Sequence, residues 1–179
     1  MNVPIVKNYI PKLEYWCGLK FGQVLYDSDF DGKSSEIFKN KIINHSHLYF
    51  IVIDSDYNIF GHYHNKMVDI IGVDINDSDI FLFTLDSNGR SSTNNFKRKK
   101  TVCTHIYDNG FYYCGKVDYD TGYYSVNDID KANSRVHEDI SHFFDVDDPV
   151  IFTGSCYSFG YDNFYKPKRV IVIEMNEKN

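Results

Sequence analysis

Residues 48–64 have the sequence LYFIVIDSDYNIFGHYH, in which two largely apolar runs flank a short polar stretch. The first run, LYFIVID (48–54), has the length of a strand, and the second, IFGHYH (59–64), alternates apolar and polar residues. The segment DSDYN between them contains residue types that favour turns, because Asp and Asn side chains hydrogen-bond the nearby backbone. The stretch therefore predicts a β-hairpin.

Further strand-length runs lie on both sides of this hairpin. They are QVLY (23–26), IFLFTL (80–85), TVCTHIY (101–107), GFYYCGKV (110–117), TGYYSV (121–126), PVIFTG (149–154) and RVIVIEM (169–175). Helical spacing appears at 8–20 and in EIFKNKIINH (36–45), the second with Ser34 as its expected N-cap. Residues 127–148 show no clear period, which predicts an irregular segment or a short helix. Eight or nine short strands predict an α+β fold with two sheets.

Composition supports a strand-rich single domain. Ile, Val, Phe and Tyr total 61 of the 179 residues, whereas Ala, Leu, Met and Glu total 15. The formal net charge of −6 argues against a general affinity for nucleic acid or anionic membranes. The N-terminus lacks the apolar stretch of a signal peptide, and no apolar run is long enough to span a bilayer. These features predict a cytoplasmic protein with reduced cysteines and without membrane insertion.

The order of the segments resembles the TLDc domain family. The resemblance is carried by LYDSDFDGKSSEIFKNKI (25–42), LYFIVIDSDYNIFGHY (48–63) and DSDIFLFTL (77–85), with Asp31, Gly32, Ser34, Phe60, Gly61 and the Phe81–Leu85 strand at the family's positions. It continues more weakly through SCYSFG (155–160), Phe164 and Glu174, so it covers about Leu25 to Met175. The chain departs from the family at His62, where a second glycine is expected.

The resemblance implies both a fold and a function. It implies two antiparallel sheets packed as a sandwich with a few flanking helices, in a domain at 25–179 onto which an N-terminal helical segment, 1–24, packs. It also implies a protein-interaction module and no enzyme, linked to oxidative-stress resistance and to binding or regulation of the vacuolar ATPase. The expected partner is therefore a protein, with vacuolar ATPase subunits as the candidates, and no cofactor is expected.

The acidic stretch DSDFDG (27–32) supports an alternative function. Asp27, Asp29, Asp31 and Gly32 match the first six positions of an EF-hand loop, where alternating oxygen ligands surround calcium. The pattern then fails, because Phe38 stands where the loop needs a bidentate glutamate. The alternative is a calcium-binding regulatory domain with these three aspartates as metal ligands, and the competing interpretation is an acidic strand-to-helix turn.

One basic run is the candidate contact surface for a partner. Lys97, Arg98, Lys99 and Lys100 follow Phe96 directly after a polar loop. Such a run contacts phosphate or an acidic protein, or it is a solvated flank of an edge strand. An aromatic residue beside exposed charge often anchors partners, which adds Phe96 to the predicted contact set.

Two further chemistries are open from residue types alone. The pairs His45 with His47 and His62 with His64 have a spacing that places both rings on one face of a strand, where they would start a zinc site. Cys156 would be a nucleophile if His142 or His137 and an acid such as Asp145 or Glu138 converged on it. Core or surface histidines and a buried cysteine are the simpler interpretations.

Overall fold

The computed structural model describes residues 4–116, 122–158 and 163–177. The helices are α1 (Pro4–Lys7), α2 (Ile10–Cys17), α3 (Ser28–Asp31), α4 (Ser35–Ile42) and α5 (Val150–Thr153), with a 3-10 helix at Glu138–His142. The first six strands are β1 (Lys20–Asp27), β2 (Leu48–Asp54), β3 (Ile59–His64), β4 (Asp74–Asn76), β5 (Phe81–Asp86) and β6 (Asn94–Lys97). The others are β7 (Cys103–Ile106), β8 (Tyr112–Gly115), β9 (Tyr123–Val126), β10 (Arg135–Val136) and β11 (Pro167–Asn176).

The strands form two antiparallel sheets, as the sequence predicts. The larger sheet has the order β1-β11-β2-β3-β5-β6, and the smaller has the order β10-β9-β8-β7-β4. The last strand, β11, lies between β1 and β2, so strands from the two ends of the chain pair at one side of the larger sheet. The smaller sheet is an up-and-down arrangement of β7, β8 and β9 with a short strand on each side.

Strand β2 shows how the larger sheet is buried on both faces. Every residue of β2 is buried. Phe50 and Val52 belong to the core between the two sheets, whereas Tyr49 and Ile51 belong to a second apolar cluster on the outer face. Side chains alternate between the two faces of a strand, so a continuous apolar run fits a strand that is covered on both sides.

The N-terminal segment provides the cover on the outer face. Val6 of α1 and Leu13 of α2 are fully buried against that face, and the Tyr49 hydroxyl donates a 2.8 Å hydrogen bond to the Leu13 carbonyl. Pro11 is tolerated because it lies in the first turn of α2. Strand β1 begins at Lys20, so residues 20–24 belong to the sheet and not to the helical segment predicted for 1–24.

Most predicted elements are confirmed, including the hairpin of β2 and β3 and the helix at Ser35–Ile42. The Ser34 hydroxyl caps that helix by accepting the amide N–H of Glu36 at 3.2 Å. The strand predicted at 149–154 is wrong, because α5 occupies 150–153 and ends at Gly154 in the left-handed conformation. A short apolar run does not distinguish a buried helix from a strand.

Three strands escape sequence-based prediction for a shared reason. β4, β6 and β10 are two to four residues long, and each forms the edge of a sheet. These three edge strands are short and largely polar, so they lack the apolar run that marks a central strand. Strand β10 and the 3-10 helix at Glu138–His142 lie within the segment 127–148, where an irregular excursion or a short helix was expected.

Candidate functional site

The acidic loop holds its first carboxylate in an ion pair with a distant arginine. Asp27 is the last residue of β1 and the N-cap of α3, where its Oδ1 accepts the amide N–H of Asp29 at 3.2 Å. Arg169 of β11 donates to both carboxylate oxygens of Asp27, from Nε at 2.8 Å and from Nη2 at 2.6 Å. The Asp27 side chain is 4% exposed, so the carboxylate of this bidentate pair is almost fully shielded from water.

The other two aspartates of the loop also contact cations of the chain. Asp29 lies 3.3 Å from Nη1 of Arg169, and Asp31 lies 2.9 Å from Nζ of Lys41. Burial pushes the pKa of Asp31 upward, but the hydrogen bonds from Lys41 and from the amide of Asp27, together with the charge of Lys41, outweigh it and leave this pKa below its ordinary value. The three carboxylates of this strand-to-helix turn are thus engaged by two cations of the chain. Calcium binding by Asp27, Asp29 and Asp31 stays a prediction that this geometry does not support.

The basic run 97–100 leaves the edge of the larger sheet, and its residues differ in exposure. Lys97 ends β6, and Lys97, Lys99 and Lys100 are exposed. Arg98 is half-buried, and its Nε donates to the Ser78 carbonyl at 2.5 Å and its Nη1 to the Lys100 carbonyl at 3.3 Å. The guanidinium therefore holds the run against the loop that precedes β5.

Phe96 does not belong to the contact surface that the sequence predicts. It is 7% exposed and packs edge-on against Phe152, with 5.7 Å between ring centres, in the core between the sheets. Because side chains alternate along β6, an inward Phe96 places Lys97 on the outer face of the sheet. Lys100 lies elsewhere, with its Nζ 5.0 Å from the ring centre of Phe143.

An open groove of about 610 Å³ lies beside Lys97 on the outer face of the larger sheet. Tyr63, Phe81 and Lys97 are direct neighbours across β3, β5 and β6, which sets two aromatic rings and an ammonium group in one row. Helix α2 ends above this row, where Trp16 packs edge-on against Phe81 with 6.3 Å between ring centres. The groove therefore has an aromatic floor and a basic wall.

The basic wall of the groove consists of Lys97, Arg98 and Lys99. Among the described residues that line the groove, Asp79 is the one carboxylate, and it accepts the side-chain N–H of Asn65 at 3.0 Å. A smaller recess of about 260 Å³ shares Arg98 with the groove and adds Lys66 to the basic side chains. Sequence reasoning did not find this site, because Trp16 and Lys97 are far apart in the chain.

The histidines have separate roles and do not form the zinc pairs that their spacing suggests. His62 is fully buried between the sheets, stacked on Phe50 and in contact with the hydroxyls of Tyr124 and Thr104. Nδ1 of His64 lies 3.4 Å from the carboxylate of Asp77. Burial lowers the pKa of His62 well below its ordinary value and that of His64 to about 4.

His45 and His47 lie outside the strands and have different partners. Nδ1 of His45 is 2.7 Å from Oε1 of Glu174, and Nδ1 of His47 is 2.8 Å from the Asn65 side-chain oxygen. In the part of the chain that the structure describes, no three His, Cys, Asp or Glu side chains come together in a group that would hold a metal ion.

The cysteines do not have the environment of a nucleophile. Burial raises the pKa of Cys156, whereas an activated thiol needs a lowered pKa. Nδ1 of His137 accepts the amide N–H of Asp139 at 3.2 Å, and Nδ1 of His142 lies 3.6 Å from the same aspartate, so the partner of both proposed bases is Asp139 and not Cys156. Burial also raises the pKa of Cys103 to about 12, and that of the fully buried Cys114 well above its ordinary value.

The described helices are all too short or too polar to cross a membrane.

Comparison with protein families agrees with this architecture. The fold is a two-sheet antiparallel sandwich with an N-terminal helical cover, and the TLDc domain model matches residues 7–163. The chain therefore belongs to the TLDc domain family. The match begins at residue 7, within the N-terminal helical segment. No match is found among curated proteins.

Proposed function

We propose that this chain is a non-catalytic protein-interaction module of the TLDc family. The observation that carries the proposal is the family match over 157 residues, from 7 to 163, on the antiparallel sandwich described above. TLDc domains are generally non-catalytic. The raised thiol pKa values and the ion-paired aspartates support the same conclusion, because a nucleophile or a metal site needs the opposite environments.

The partner proposed from the family is the vacuolar ATPase, through its peripheral subunits in the cytoplasm. Binding to that complex would link this domain to regulation of the proton pump, and the family's association with oxidative-stress resistance is proposed for this chain as well. The outer face of the larger sheet, with the basic side chains around Lys97, supplies a surface for such an interaction.

Affinity capture of purified peripheral vacuolar ATPase subunits on the immobilised full chain tests the proposal. Recovery of a defined subunit in equal amount with calcium and with chelator is the expected result. Recovery that depends on calcium would favour the acidic-loop alternative instead. The matched control is Gly61→Ala, which is expected to unfold the domain and abolish capture, and failure of the wild-type chain to capture any subunit would refute the proposed partner.

A further inference from the structure

We infer that the groove beside β6 binds an acidic peptide segment that carries a bulky aliphatic side chain. This inference deepens the proposed interaction function by naming the binding site and the chemistry of the partner. It starts from an unequal charge distribution. The chain as a whole has a net charge of −6, yet Lys97, Arg98 and Lys99 form one wall of the groove and Lys66 extends the basic surface into the adjoining recess.

The groove and the recess are lined by fewer carboxylates than basic side chains, because Asp77 and Asp79 stand against Lys66, Lys97, Arg98 and Lys99. Asp79 is hydrogen-bonded to Asn65. Asp77 is 3% exposed, and its carboxylate accepts the amide N–H groups of Asn65 at 2.5 Å and of Lys66 at 3.2 Å. Backbone donors therefore satisfy Asp77 from within the fold. The ammonium groups of Lys97 and Lys99 remain exposed, and an anionic partner complements them.

The floor of the groove selects an aliphatic side chain over a nucleobase. Tyr63 and Phe81 are 3% and 8% exposed and stack on each other with 5.1 Å between ring centres. One face of Trp16 is covered by Nζ of Lys12, 5.8 Å from the ring centre, and the ring also packs against Phe83 at 6.0 Å. Because these rings are buried and packed against one another, they are poor platforms for nucleobases, which need open ring faces on which to stack.

The wall of the groove is also preorganised. Arg98 is fixed by its hydrogen bonds to the Ser78 and Lys100 carbonyls, so it presents its charge without further ordering. The amide of Lys99 donates to the Phe143 carbonyl at 2.7 Å, and the Lys97 carbonyl accepts from the amide of Asp145 at 2.8 Å. A backbone that is fixed before binding lowers the entropic cost of association. The groove volume of about 610 Å³ lies within the usual range for ligand sites.

Fluorescence polarisation with a labelled peptide tests the inference directly. The probe is a peptide of about 12 residues, rich in Asp and Glu with one central Leu, at about 50 mM salt, where screening is weak. Its matched forms replace the acids with Lys or the Leu with Gly. We expect saturable binding of the acidic Leu peptide, weaker binding of the Gly form and no binding of the Lys form.

The protein variants locate the site. Lys97→Glu with Lys99→Glu should weaken binding by about tenfold or more, because two attractive contacts become repulsive. The control, Lys7→Glu with Lys131→Glu, has the same net charge and changes two exposed lysines away from the groove, so it should stay within about twofold of the wild type. Equal weakening by both double variants would overturn the inference, as would the absence of saturable binding.

A competition experiment separates the inference from other anionic ligands and from the proposed partner. Stronger competition by an oligonucleotide or by anionic vesicles than by unlabelled peptide would overturn it. If the wild-type chain binds the peptide but captures no vacuolar ATPase subunit, the proposed partner is wrong and the groove assignment stands. If the Lys97→Glu, Lys99→Glu variant captures the subunit as well as the wild type does, and the peptide does not bind, the groove assignment is wrong and the proposed function stands.

Discussion

Replacement of Asp27 distinguishes a structural ion pair from a calcium ligand. Asp27→Ala removes the bidentate partner of Arg169 and the N-cap of α3, whereas Asp27→Asn removes the charge but keeps an oxygen for the cap. Breaking a buried ion pair costs about 3–5 kcal/mol when one partner is left without its counter-charge. The cost here lies at or below the low end, because the Arg169 side chain is 16% exposed and keeps Asp29 at 3.3 Å.

The expected losses in the free energy of unfolding follow from these contacts. We expect Asp27→Asn to cost about 2 kcal/mol, and Asp27→Ala about 3 kcal/mol, since the lost cap adds about 1 kcal/mol. For a chain of this length the alanine variant should melt about 6–12 °C below the wild type. The control Asp69→Ala changes an exposed aspartate and should stay within about 0.5 kcal/mol of the wild type.

Urea denaturation with chelator and with millimolar calcium provides the assay. The structural interpretation predicts that the alanine variant is destabilised in chelator and that calcium leaves the wild-type free energy of unfolding unchanged. A calcium site predicts instead that calcium raises the free energy of unfolding of the wild type, and that the variant has lost only this increase. If Asp27→Ala costs less than about 0.5 kcal/mol in chelator, the stabilising role assigned to the Arg169 pair is refuted.

The remaining predictions concern a glycine, a histidine and the thiols. Gly61→Ala should abolish folding, measured by near-ultraviolet circular dichroism, because its Cβ would lie 1.8 Å from the Phe50 carbonyl oxygen, whereas Gly89→Ala, with open space around it, should cost about 1 kcal/mol for its positive φ. Since burial lowers the pKa of His64 to about 4, the unfolded chain binds its proton first as the pH falls. Stability should therefore be complete above about pH 6.5 and fall by about 3 kcal/mol towards pH 4, a loss that His64→Gln should reduce in urea titrations across that range. Buried Cys103 and Cys114 should react with a thiol reagent at neutral pH only after denaturation, and their rapid labelling in the native protein would contradict the buried environment assigned to them.

The local elements were predictable because short-range patterns encode them. Three such patterns each act within one turn or one strand: the all-apolar run of β2, the capping serine of α4 and the alternation in β3. The wrong prediction of a strand at 149–154 also has a local cause. The run at 149–154 is apolar enough for either a strand or a buried helix, and Pro149 and Gly154 at its two ends decide for the helix.

The candidate site was only half predictable. The basic run was visible in the sequence, but the aromatic residue predicted to accompany it was wrong. Phe96 points into the core, and Tyr63 and Phe81 lie beside Lys97 instead. The pairing register across three strands determines this row of side chains. The sequence of residues 96–100 does not predict that register, because the register depends on hydrogen bonds to other strands.

By itself, the sequence determined the family, the strand-rich class and the order of the main elements, because these depend on residue type and on spacing along the chain. The tertiary structure alone decided what the charged groups do. Asp27 meets Arg169 across 142 residues, and the basic run borders a groove under α2 only because β6 is an edge that the N-terminal helices leave open. Charge interactions depend on distance in space and on burial, and folding sets both of these quantities.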